Sequence, residues 1–192
     1  MFTKLTISVP VWLDRIFIWP VMVYRRFKYG YTFRRIYLGQ NKFTIVDQAD
    51  FYSLNNYQWC VQQYDRNIYA VRLIMNSSQR MKIVSLHREI LNPPKGLLVD
   101  HRNNDGLDNR RENLRLATHS QNMFNKRKTL KKTYSHFIGV SFDKSVGKWI
   151  ASISFQGKHI FLGRFSSEID AAKARDNAAI KYHKEFARLN FS

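Results

Sequence analysis

Residues 100–122 read DHRNNDGLDNRRENLRLATHSQN. A carboxylate, Asp100, stands beside an imidazole, His101, at the end of an apolar run. Thr118 with Gln121 three residues later is a capping-box signature, so a helix is expected to start near Thr118 and to carry Asn122 on its first turn. Leu97–His101 and Leu114–Ala117 read as short strands on either side of a long polar connection. Strand, loop, strand and helix would turn Asn122 back towards Asp100. A hard divalent cation takes oxygen ligands, and the Asp100 carboxylate and the Asn122 amide oxygen would supply two. An imidazole with an ordinary pKa near 6.5 suits a general base that deprotonates water near neutral pH, which is the role read for His101. These are the parts that a one-metal phosphodiesterase requires.

The spacing His101, Asn113, Asn122, with Asp100 in front, resembles the HNH endonuclease family of ββα-metal architecture, and most closely its homing-endonuclease branch. The similarity extends upstream through SLHREILNPPKG, which contains His87, and spans roughly residues 83–126. The resemblance implies His101 and Asn113 as the catalytic pair, with Asn113 pinning the long loop, and Asp100 and Asn122 as metal ligands. It implies Mg²⁺, or another divalent cation such as Mn²⁺, and hydrolysis of a DNA phosphodiester to a 3′ hydroxyl and a 5′ phosphate. His87 could contact substrate or support the fold. His119, in the first helical turn, is read as a bystander or phosphate contact ahead of a ligand. Arg110, Arg111 and Arg115 are candidates for flanking phosphates. Asn103, Asn104 and Asn109 are ordinary turn formers first.

Composition agrees with a polyanionic partner. Lysine and arginine number 32 against 14 aspartate and glutamate, a formal charge of +18 on 192 residues. Double-stranded DNA is the expected partner, with no small-molecule substrate. Apolar residues make up 44% of the chain and aromatics 15%, enough to build cores. The lone cysteine, Cys60, excludes an internal disulfide and a Cys-rich zinc site, and an intracellular chain is expected. Cys60 lies in a strand-like run and reads as a buried core thiol. Residues 6–24 are rich in apolar side chains, but Asp14 and Arg15 fall mid-run and Pro10 and Pro20 interrupt it, so neither a spanning helix nor a signal peptide is expected. In 25–35, RRFKYGYTFRR, aromatics alternate with period two between basic residues. That is either a nucleic-acid surface or a strand with one aromatic face inward.

Strands are expected at Ile36–Leu38, Lys42–Val46, Gln58–Gln62, Ile68–Leu73 and Met81–Leu86, with a short helix or turn over DQADFYSLNNY. Residues 125–135, NKRKTLKKTYS, read as a basic linker or helix end.

From Ser135 the pattern changes. FIGVSF, KWIASISF and KHIFLGRF are separated by turn material and read as a three-stranded meander, and SSEIDAAKARDNAAIKYH as a helix capped by Ser167 with Asp170. Gly139-Val140, Gly147-Lys148-Trp149, Ala151, Leu162-Gly163, Phe165, Ala171-Ala172, Asp176, Ala178-Ala179 and Asn190-Phe191 resemble the plant Apetala/ethylene-response-factor (ERF) DNA-binding domain over residues 136–191. In that family the sheet enters the DNA major groove. Ile138, Ser141, Asp143, Ser152, Ser154 and His159 stand where plant factors carry arginine, so base preference does not transfer. Lys144, Lys148, Trp149, Lys158, His159, Phe161 and Arg164 are the candidate DNA contacts. Trp149 reads equally well as a core residue between sheet and helix.

The expectation is an α+β chain in four parts: a hydrophobic and basic extension over 1–35, a β-rich region with the nuclease over 36–126 (core 83–126), a basic linker over 127–135, and an ERF-type DNA-binding module over 136–192. The alternative is a transcription-factor-like regulator whose nuclease half is inactive. A third class, a membrane-surface protein held by residues 6–35, is the least supported.

Overall fold

The computed structural model describes residues 10–64, 67–75, 79–125 and 134–191. Among these residues the chain is mixed α/β, with four small antiparallel sheets and five α-helices. It divides into two compact units, one running through Leu86 and including Leu107–Arg111, the other comprising His87–Gly106 and the chain from Glu112 onward.

The first unit opens with α1 (Val11–Tyr29), where the sequence suggested interruption and then alternation. Pro10 occupies the cap position before the helix, where a missing N–H costs nothing, and Gly30 ends the helix in the left-handed conformation (φ 80°) with its N–H on the Arg26 carbonyl. The period-two reading of 25–35 therefore holds only beyond Gly30. Asp14 ties the helix to the unit: it accepts from Arg34 and from the Tyr52 hydroxyl, each at 2.8 Å. Trp12, Ile16, Trp19 and Phe27 are exposed along the helix. No helix among the described residues is long and apolar enough to cross a membrane.

β1 (Arg34–Gly39) and β2 (Lys42–Val46) form a hairpin. Gln40 and Asn41 both take positive φ, the conformation that matches a two-residue turn to strand twist. Alternate residues Ile36 and Leu38 are buried, as are Val46 and Leu54 of α2 (Gln48–Asn55). β3 (Cys60–Tyr64), β4 (Asn67–Met75) and β5 (Met81–Ser85) make a meander. Cys60 is exposed, correcting the buried reading. Its Sγ lies 3.4 Å from the Val71 carbonyl at the outer strand of that meander.

The 107–111 segment belongs to this unit. The Ile45 N–H donates to the Leu107 carbonyl, and the Asn109 N–H to the Ile45 carbonyl, each at 2.9 Å. Buried Thr44 donates to the Leu107 carbonyl (2.8 Å) and accepts from Asn109 Nδ2 (2.7 Å).

α3 (Leu86–Leu91) follows β5 directly where the sequence extended a strand through Leu86. The second unit then runs through β6 (Leu98–His101), β7 (Leu114–Ala117), α4 (His119–Phe124), β8 (Val140–Asp143), β9 (Lys148–Phe155), β10 (Lys158–Phe165) and α5 (Glu168–His183). The last three strands form a sheet in the order β10-β9-β8. Gln156 and Gly157, both at positive φ, close the β9–β10 turn. Ala171, Ala172, Ala178 and Ala179 are buried and let α5 lie close on Val140, Ala151 and Ile153. The chain end is clasped: the Asp176 carboxylate accepts the backbone N–H of Asn190 (2.7 Å) and of Phe191 (3.0 Å), and Asn190 Oδ1 accepts from Ile138 N–H at 2.6 Å. Most of the expected linker at 127–135 lies outside the described residues.

Candidate functional site

β6 and β7 pair antiparallel with Asp100 opposite Arg115 and His101 opposite Leu114. α4 follows, and Thr118 caps it reciprocally: its side chain accepts from Gln121 N–H while the Gln121 side chain accepts from Thr118 N–H. This fixes the angle at which the helix leaves β7.

Asp100 and His101 are both buried. A buried carboxylate needs partners, and among the described residues Asp100 has two. Arg115 donates to Oδ2 through Nε at 2.8 Å, and its Nη2 lies 2.7 Å from the same oxygen as an ion-pair contact. Asn125 Nδ2 lies 3.1 Å from each carboxylate oxygen. The same amide donates to the His101 carbonyl at 2.8 Å, and its oxygen accepts from Asn104 Nδ2 at 3.1 Å. Asn113 brackets the loop at Asn103, accepting from its N–H (3.1 Å) and donating to its side-chain oxygen (2.9 Å). The His101 ring meets His87 edge-on at 5.1 Å between centroids. Burial, then the neighbouring His101 and Arg88, pushes the His87 pKa down to about 3, so His87 is neutral at physiological pH.

Asn122 sits on the first turn of α4, half-buried, with its N–H on the Thr118 carbonyl. Among the described residues its side chain makes no hydrogen bond to Asp100. Asn125 takes that place. In the sequence Asn125 stands at the head of a basic stretch. The signal that could have found it is a second asparagine three residues after Asn122, on the same side of the helix.

Two of the arginines assigned to phosphates are otherwise engaged. Arg110 is buried, holds Asp108 through two bonds (2.8 and 2.7 Å) and stacks 3.4 Å from the Tyr31 ring centroid. Arg115 is committed to Asp100. A buried guanidinium already paired with a carboxylate has less to offer a phosphate than an exposed one. Arg111 pairs with Asp50 (2.8 and 2.7 Å), but its side chain is 53% exposed.

In the C-terminal sheet, Lys144, Lys148, Lys158, His159, Phe161 and Arg164 are exposed or half-exposed. Lys148 opposes Asp143, His159 opposes Ser154 and Phe161 opposes Ser152. Arg164 reaches Asp143 at 3.4 Å and lies over Phe161. Trp149 packs on the Val140–Ala151–Ala171 core, which is its role in the fold.

Residues 92–124, which include Asp100, His101, Asn113, Arg115 and Asn122, match the family model described as HNH endonuclease. Over 97 residues, half of the chain, the sequence is 34% identical to protein 3.8 of Escherichia phage T7, and the match covers 78% of that phage protein. The chain belongs to the protein 3.8 family.

This member of the protein 3.8 family is also similar to plant proteins. It is 40% identical over 58 residues to APETALA2-like protein 2 of Oryza sativa subsp. indica, a match covering 30% of this chain and 13% of the rice protein. It is 39% identical over 57 residues to the AP2-like ethylene-responsive transcription factor TOE2 of Arabidopsis thaliana, covering 30% of this chain and 12% of that factor. The chain thus spans about an eighth of the length of these plant relatives.

The donor set of this protein 3.8 relative bears on a metal ion. Among the described residues no group of three or more His, Cys, Asp or Glu side chains is placed to hold one. Mg²⁺, however, keeps several waters and is commonly held by one or two carboxylates plus substrate phosphates. Among the described residues Asp100 Oδ1 accepts from Asn125 alone, whereas Oδ2 also carries Arg115. One carboxylate oxygen with spare lone pairs fits a water-rich site of that kind.

Proposed function

We propose that this protein is a metal-dependent DNA endonuclease of the HNH homing type. Its ββα-metal site would be formed by β6, β7 and α4, and an ERF-type module at 136–192 would deliver it to DNA. One observation carries the reading: within the segment that matches the HNH model, Asp100 and His101 are adjacent, buried and held by named partners. Support for the module comes from the plant similarity, whose length fits residues 136–191, and from a sheet edged with Lys144, Lys148, Lys158 and Arg164. Both similarities point to DNA as the partner. The organisation proposed is an extension at 1–35, a β-rich nuclease region at 36–126, a basic linker at 127–135 and the module at 136–192.

In this reading His101 takes a proton from the attacking water, and neutral His87 against its ring leaves that imidazole without a competing cation. Asn113 keeps the 102–113 loop from swinging over the site by holding Asn103. Asp100 and Asn122 would hold Mg²⁺ or Mn²⁺. When bound, such a cation stabilises charge on the scissile phosphate and leaving oxygen. Lys148, Lys158 and Arg164 would contact phosphates.

Incubation of supercoiled plasmid with the protein and Mg²⁺ tests the reading. Wild type should nick or linearise it, and His101→Ala should cut about 10²–10⁴-fold more slowly, as for loss of a general base. Asn122→Ala should also be impaired. Cutting that persists in both variants would refute the site assignment. The ion pair between Asp100 and Arg115 favours a second reading, a DNA-binding regulator with a silent nuclease. DNA binding by wild type with no cutting of any substrate would establish it.

A further inference from the structure

We propose that Arg115 is a positioning residue through which the C-terminal turn Lys184–Phe186 orients the Asp100 carboxylate. The turn thereby governs how well the site takes up its divalent cation. This inference rests on the nuclease reading above.

The observation is the set of partners that one guanidinium has among the described residues. Arg115 donates from Nε to Asp100 Oδ2 at 2.8 Å, and its Nη2 lies 2.7 Å from that oxygen in the ion pair. Its Nη1 donates to the backbone carbonyl of Glu185. Its Cζ lies over the Phe186 ring, 3.9 Å from the centroid. The side chains of Arg115 and Asp100 are only 8% and 7% exposed, and Phe186 is buried as well. A planar, five-donor group is suited to holding two partners and a ring face in fixed relative orientation, which an ammonium cannot reproduce.

A second contact comes from the other side of the same region. The Phe124 ring of α4 stacks on His183, at 3.8 Å between centroids and 2° between planes, and His183 Nε2 lies 2.9 Å from the Ser154 carbonyl. The strand that carries Arg115 and the helix that carries Asn122 and leads to Asn125 therefore both rest on residues 183–186. That segment is set by the fold of the last sheet and helix: α5 ends there, and Lys184 takes a positive φ of 51° to start the turn.

The consequence falls on Asp100. With the Arg115 contacts on Oδ2, Oδ1, which accepts from Asn125, is the oxygen presented for a cation. A guanidinium that loses its ring face is held less firmly, and the Asp100 carboxylate then keeps its orientation chiefly from the Asn125 amide. Residues that orient a metal ligand typically contribute 10- to 100-fold in metal affinity.

The test uses the full-length protein and Mn²⁺ alone, titrated by calorimetry without DNA. Arg115→Lys should weaken Mn²⁺ binding by about 10- to 100-fold. Phe186→Leu keeps a buried apolar side chain but removes the ring, and should weaken it by roughly three- to tenfold, a fraction of that range. Phe186→Tyr keeps the ring and should stay within about twofold of wild type. Gel-shift affinity for DNA in EDTA should be unchanged in Phe186→Leu, and circular dichroism should show it folded; a merely structural defect would move both. Wild-type Mn²⁺ affinity in folded Phe186→Leu, or equal loss in the Leu and Tyr variants, overturns the inference and leaves the nuclease reading standing. Absence of Mn²⁺ binding and of cutting in wild type overturns the nuclease reading and the inference with it.

Discussion

Asn125→Ala separates the geometry seen here from the one that motif spacing suggests. Asn125 is buried, and its amide donates to both Asp100 oxygens and to the His101 carbonyl. Removing it strips a charge-assisted bond from a buried carboxylate, worth about 1.5–3 kcal/mol, and leaves the His101 carbonyl short of one donor, about 1 kcal/mol more. The Asn104 amide also loses its acceptor. The expected loss is about 2–4 kcal/mol. With a urea m-value near 2–3 kcal/mol/M, it should lower the unfolding midpoint by roughly 1–1.5 M. Asn122→Ala is the matched control. Its half-buried side chain holds nothing among the described residues, so it should cost about 0.5 kcal/mol or less. In the plasmid assay the order reverses in meaning: Asn122→Ala should lose cutting while staying fully folded. Urea unfolding followed by circular dichroism on both variants decides. Equal destabilisation would show that Asn125 does not hold Asp100 in solution.

His87 should make stability fall in acid. Its folded pKa is near 3 against 6.5 in the unfolded chain, so between those values the unfolded state binds a proton that the native state refuses, and stability drops by up to about 1.4 kcal/mol per pH unit. His87→Gln should flatten that part of a urea-midpoint profile between pH 7 and pH 4, and an unchanged slope would refute the assignment. Gly139→Ala should destabilise by about 2–4 kcal/mol, because the residue has φ +71° and a Cβ there would meet the Ser152 carbonyl oxygen at 2.5 Å; thermal unfolding measures it. Thr44→Val should lose about 1–3 kcal/mol by leaving the buried Asn109 amide without its hydroxyl acceptor, read from the urea midpoint, whereas exposed Thr or Ser positions should tolerate the same change.

The local signals were strong where one residue type does one job. Thr118 and Gln121 announce a helix start, because the capping box needs only residues three apart, and both halves are formed. The β1–β2 and β9–β10 hairpins are legible because short turn segments between alternating runs leave little choice of pairing. The C-terminal meander and its alanine-faced helix follow from period-two runs and small residues at helical spacing. The same local logic misread α1, since alternation at Phe27, Tyr29, Tyr31 and Phe33 looks extended until Gly30 is seen to stop a helix. It also misread Cys60, whose burial depends on where its strand lies in a sheet that neighbouring residues do not specify.

The sequence alone determined the chemistry available: an Asp100–His101 pair ahead of Asn113 and Asn122, a charge of +18, and a C-terminal run of strand-like segments carrying lysines. Those follow from composition and short-range spacing. Only the tertiary structure decided which side chains satisfy the buried Asp100. Arg115 lies opposite it across two strands, and Asn125 reaches it from the end of a helix. Both had read as phosphate-binding or linker residues, because an isolated arginine or asparagine carries no mark of the carboxylate it will neutralise. Burial imposes that pairing, since a carboxylate removed from water takes whatever donors the fold brings within about 3 Å. The link from Arg115 to Glu185 and Phe186 spans some seventy positions of sequence, and packing alone brings them together.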